Sequence, residues 1–122
     1  MELNNFPMDD TLPFKGSARS RSCGSTIDIA LSLAANGTIT AVGLRPHACA
    51  VGQASAAVFA RSAAGRSADD IRAARGALAT WLADGGASPD WPGIDLIEPA
   101  RAYPARHGAI LLAWDAATDA LK

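Results

Sequence analysis

Ile27, Ile29, Leu31 and Leu33 alternate with Asp28, Ala30 and Ser32, the period of two that marks a strand with one buried face. Asn36-Gly37 follows, a dipeptide that tolerates positive φ in tight hairpin turns. A second β-rich run, Thr38 to Val42, continues to Leu44, so the pattern predicts a β-hairpin over about residues 26–44. Beyond Pro46 the period lengthens and most of the chain's alanines appear, which favours helix. A first helix is expected from about Ala50 to Ala63, closed by Gly65. A second opens at Ser67, with Asp70 three positions on in a capping-box arrangement. Ile71, Ala74, Leu78 and Leu82 form its apolar face, and Gly85-Gly86 ends it. Residues 87–104 read as a Pro-punctuated connector anchored by Trp91, Ile94, Leu96 and Ile97. A last helix is expected from Pro104 or Ala105 to Leu121, with Ile110, Trp114, Ala117 and Leu121 on one face.

The opening of the chain has no sustained period. Asn, Pro, Gly and Ser dominate it, so residues 1–20 read as an irregular N-terminal segment, with a strand placed near Phe14 to Arg21. Strands first and helices after predict an α+β fold: a small antiparallel sheet with three main C-terminal helices packed on one face. At 122 residues the expectation is one domain over 1–122.

Charge narrows the function classes. Eleven basic and twelve acidic residues leave a net charge of -1, and neither half of the chain is lopsided. The nearest thing to a basic patch is Lys15, Arg19 and Arg21 in a Ser/Gly-rich stretch, short of the stripe that nucleic-acid binding needs. The uncharged run from Pro46 to Ala60 is too short and too rich in small and polar residues to span a bilayer. The N-terminus, with Glu2, Asp9 and Asp10, has the wrong charge for a secretory signal. A cytoplasmic protein with no nucleic-acid or membrane partner is expected, and its two cysteines, Cys23 and Cys49, as reduced thiols.

Four segments in order carry a family resemblance. Ala48-Cys49-Ala50-Val51-Gly52-Gln53-Ala54-Ser55-Ala56-Ala57 resembles the Gly-Cys-Ala-Ile-Ser-x-Ala-Ser-Ala-Ser segment of the NifU/IscU/SufU-type iron–sulfur cluster assembly scaffolds. Cys23-Gly24-Ser25 stands where that family has Cys-Gly-Asp, before its strand pair. Gly65-Arg66-Ser67-Ala68-Asp69-Asp70 is similar to the family's Gly-Lys-Thr-x-Glu-Glu turn between helices. The run from Tyr103 to Trp114 resembles the SufU-type Phe-Pro-Ala-Arg-Ile-Lys-Cys-Ala-Thr-Leu-x-Trp, and the long connector before it also points to the SufU branch. The Leu-Pro-Pro-Val-Lys stretch of the IscU branch is absent, and residues 1–22 show no counterpart of the family's N-terminal helix.

The resemblance implies a non-enzymatic scaffold that holds iron, zinc or a [2Fe–2S] cluster, takes part in sulfur transfer and docks a cysteine desulfurase. It also implies a ligand set of three cysteines and an aspartate. Cys23 and Cys49 match the first two thiolates, the second at a helix start where the dipole favours thiolate chemistry. Ser25 occupies the aspartate position, Ala109 the third cysteine position and Gly108 that of its basic neighbour. Zinc wants four N, S or O donors and clusters mostly four thiolates, so binding at Cys23 and Cys49 is expected to be weak or absent. His47, two residues before Cys49, is a further candidate donor; His107 would point about 200° around the last helix from position 109. Arg106 is implied at the mouth of the site. Trp81, Trp91 and Trp114 are expected as core fillers. No phosphate loop, nucleophile elbow or His-Glu-x-x-His motif occurs, and no catalytic residue is assigned. Two readings remain: a weak scaffold or sulfur acceptor, and a pseudo-scaffold that keeps the desulfurase docking face without cluster chemistry.

Overall fold

The computed structural model describes residues 6–20 and 24–122. Three strands, β1 (Phe14–Arg19), β2 (Thr26–Leu33) and β3 (Ile39–His47), form an antiparallel sheet in the order β1-β2-β3. Three helices follow: α1 (Ala50–Ala63), α2 (Ala68–Asp84) and α3 (His107–Ala120). The fold is α+β, as the switch in period predicts.

The hairpin register places Ile29 opposite Leu44 and Thr26 opposite His47. The alternation in β2 does the sorting: Ile27, Ile29 and Leu31 are all buried, and a one-residue slip would turn all three to the opposite face of the sheet. Its turn is looser than a two-residue loop. Gly37 takes the positive φ, at +85°, and Asn36 Oδ1 accepts from both the N–H and the hydroxyl of Thr38, at 3.1 and 2.7 Å. The strand β3 runs past the expected Leu44 through Pro46, which is tolerable because β3 lies at an edge of the sheet.

The strand placed near Phe14 to Arg21 is found as β1, which ends at Arg19; Arg21 lies outside the described residues. The inward positions of β1 are Gly16 and Ala18, too small to leave an apolar alternation. Gly16 is also where α3 crosses the sheet. A Cβ there would run into the carbonyl of Ala116 and lie 2.5 Å from the nitrogen of Ala120.

The helix termini follow local chemistry. Ser67 caps α2 through its hydroxyl, which accepts from Asp70 N–H at 3.1 Å, and Asp70 returns the bond by accepting from Ser67 N–H at 3.0 Å. Gly85 ends the helix in the left-handed conformation, φ +70°. The last helix begins later than expected, because Pro104–Arg106 form a 3-10 turn ahead of it. It is also buried on more than its expected face. Ala109, Leu112, Ala113 and Ala116 join Ile110, Trp114 and Ala117 in the core, since α3 packs against β1, β2, α1 and α2 at once.

Phe59, Trp91 and Trp114 form one aromatic cluster with centroids 5.3–5.6 Å apart, and Trp81 is buried too. Trp91 Nε1 donates to Val58 O at 3.0 Å, pinning the connector to α1. Leu96 departs from its expected role as an anchor. In the 3-10 turn Ile94–Leu96, residues three apart eclipse, so Ile94 and Ile97 share the inward side and Leu96 is left 61% exposed.

Candidate functional site

The site forms where β3 hands the chain to α1. After His47 two residues remain extended before the helix, and Cys49 takes the N-cap position with φ -65° and ψ 172°. Its carbonyl accepts from Gln53 N–H at 2.9 Å, and the Gln53 side-chain amide donates to Ala48 O, also at 2.9 Å. The Cys49 side chain caps nothing. The thiol is half-buried and free of disulfide, and no acidic residue stands in the first turn of α1. The partial positive charge of the helix start is therefore not offset locally.

Ser25 and Ala109 come to this same turn from distant parts of the chain. Ser25 precedes β2 and is 4% exposed; its Oγ accepts from the backbone N–H of Cys49 across a long 3.4 Å. Ala109, in the first turn of α3, is fully buried at 0% exposure. Its methyl faces Gly52, one helical turn beyond Cys49: a Cβ on Gly52 would sit 3.6 Å from Ala109 Cβ. Ser55, a further turn along, donates to Ile110 O at 2.6 Å and locks α1 to α3. Small residues at 52 and 109 and a hydroxyl at 55 let the two helices approach this closely. The matched segments span all three positions, but of these residues only Ser55 is the one the family motif has there, and their contact with each other has no signature in periodicity.

The donor inventory is short. Cys23 lies outside the described residues. His47 closes β3 and is exposed. His107 is engaged elsewhere, its Nε2 lying 2.8 Å from Arg101 O. Among the described residues, no group of three or more His, Cys, Asp and Glu side chains is placed to hold a metal ion. Ser25 presents a hydroxyl and Ala109 a methyl, so neither side chain supplies the donor that a tetrahedral zinc site or a cluster needs.

Beside the thiol lies a feature that the hydrophobic pattern did not announce. Val51 and Ala54 of α1 form one wall of a groove of about 510 Å³, and Leu96, Ile97 and Tyr103 of the connector form the other, with Arg106 on the rim. Tyr103 is 65% exposed. The signal was available only as two apolar side chains in a connector whose partners were unknown.

No protein-family model matches the chain, and no curated protein does. Solved structures do. A nitrogen-fixing NifU-like protein (N-terminal) from Brucella abortus is 35% identical, with 97% of this chain and 85% of that one covered and a TM-score of 0.81. A protein from Fervidobacterium islandicum AW-1, assigned as an iron–sulfur cluster assembly scaffold for the SUF system, shares the fold at a TM-score of 0.85 and 20% identity, over 98% of this chain and 88% of that one. Identity at this level over nearly the whole length, on a shared fold, shows that the chain belongs to the NifU/IscU/SufU-type scaffold family.

Proposed function

We propose that the protein is an iron–sulfur cluster assembly scaffold-like protein whose own residues hold iron, zinc or a [2Fe–2S] cargo weakly at most. The observation behind this reading is the packing of Ala109: the position of the third thiolate is fully buried against Gly52 and offers no donor. What remains is the Cys49 thiol at a helix start, and the motif resemblance makes Cys23 its companion thiol. Such a thiol suits sulfur acceptance. A thiolate attacks the outer sulfur of a donor persulfide, a new S–S bond forms, and the donor's thiolate leaves. A reducing compartment keeps the acceptor thiol free, in keeping with a cytoplasmic protein, and no enzymatic role is assigned. Among the described residues, no helix is long and apolar enough to cross a membrane.

A second reading is favoured by the same packing: a module that docks a cysteine desulfurase without holding a cluster. Loss of a ligand removes metal affinity but leaves the surrounding surface in place. Anaerobic titration of the purified protein with Zn²⁺ and Fe²⁺, beside a Cys49→Ala control, separates the two. Weak binding that disappears in the control supports the scaffold. Absence of binding, together with co-elution of a desulfurase, supports the docking module. Tight one-to-one binding by the unmodified protein overturns both.

A further inference from the structure

We infer that the groove between α1 and the connector is a docking surface for an extended segment of a partner protein, one that carries an apolar anchor side chain beside carboxylates. Exposed leucines and tyrosines scattered singly are ordinary. Here Leu96 and Tyr103, at 61% and 65% exposure, stand on one groove whose opposite wall is Val51 and Ala54. A contiguous apolar surface with a polar rim is the form of an interaction site. Tyrosine and arginine, both present here, are the residue types enriched where binding energy concentrates.

Charge selects the partner. Among the described residues Arg106 is the one charged side chain lining the groove. The nearest acidic residues of the connector, Asp95 and Glu98, line a separate recess together with Arg101. No ion pair with Arg106 occurs among the described residues, so its guanidinium is available to a carboxylate, which it can bind through two parallel N–H bonds. The shape selects a protein segment over a small amphiphile. A small ligand needs most of its surface enclosed, whereas this groove is open to solvent, and a segment brings its own surroundings. The groove begins one residue beyond Cys49, so a partner seated in it lies beside the thiol. The inference goes beyond the proposed function and does not depend on whether that thiol carries metal or sulfur.

The test is a titration of the full-length ¹⁵N-labelled protein with a blocked hexapeptide, Glu-Leu-Phe-Asp-Leu-Glu, and with its counterpart bearing Lys at the acidic positions. The acidic peptide is expected to shift the amide signals of Val51, Ala54, Ile97 and Ala100, and the basic one to leave them in place. Tyr103→Ala should weaken binding at least about tenfold. Arg106→Glu should reverse the preference between the two peptides. Both changes are at exposed positions, and the dispersion of the same spectra reports whether the variants are folded. Absence of shifts, equal response to both peptides, or indifference to Arg106→Glu overturns the inference. So does concentration-dependent self-association that Tyr103→Ala abolishes, because the groove would then hold a second copy of the chain.

Discussion

Ala109 of α3 and Gly52 of α1 are packed so closely that a Cβ on Gly52 would begin 3.6 Å from the Ala109 methyl and 2.8 Å from that of Ala48. Position 109, which the motif resemblance aligns with a thiolate, is thus part of a helix–helix contact. That contact, the Ser25–Cys49 bond and the Ser55–Ile110 bond gather on the first two turns of α1.

Zinc affinity should follow the donor count. A complete structural zinc site contributes on the order of 10 kcal/mol or more, and a missing thiolate and carboxylate forfeit several of these. Ala109→Cys combined with Ser25→Asp is expected to tighten Zn²⁺ binding by at least about a hundredfold, or roughly 3 kcal/mol. Chelator competition at neutral pH measures it, and equal affinity of variant and parent would refute the ligand assignment.

Gly52→Leu should destabilise the protein by about 1–3 kcal/mol, since the added side chain must displace Ala48 and part the two helices. Gly52→Ala is less decisive, because its gain in helix propensity, up to about 1 kcal/mol, opposes the clash. Urea unfolding of the leucine variant checks the sign; an unchanged midpoint would mean that α1 and α3 are not in close contact.

Ser55→Ala removes a buried hydrogen bond to Ile110 O and should cost about 1 kcal/mol. A loss confined to stability, with the fold unchanged by circular dichroism, is expected. The same variant should leave thiol accessibility at Cys49 nearly unchanged, as measured by reaction with a soluble disulfide reagent.

Acid should loosen the start of α2. The backbone N–H of Ser67, and then its hydroxyl, hold the Asp70 carboxyl below its ordinary value of 3.8. A carboxylate whose pKa is lowered by folding contributes stability above its unfolded value, and that contribution is lost as pH falls through the folded one. Melting temperature followed from about pH 5 down to pH 2 should therefore fall less steeply in Asp70→Ala than in the parent. Parallel curves would exclude a role for the capping box. Ser67→Ala should in addition cost about 1 kcal/mol at neutral pH.

What the sequence determined by itself is whatever rests on neighbours along the chain. The alternation of Ile27, Ile29 and Leu31, the Ser67–Asp70 box and the glycine at 85 act over a few residues, and all appear where local physics puts them. Family motifs also marked positions 25, 49 and 109, although nothing local says that they meet. Tertiary structure decided the rest. The strand near Phe14 was legible but its seat was not: β1 lies under α3, which passes Gly16 at a distance no side chain permits, and a glycine leaves no hydrophobic mark in a pattern. The many buried sides of α3 follow from its place between the sheet and two helices, as its expected single face did not reveal. The outward turn of Leu96 came from a 3-10 geometry that a Pro-rich connector conceals. Periodicity reports which face of an element is apolar; only packing decides which partner covers it, and at Leu96 and Tyr103 none of the described residues does so fully.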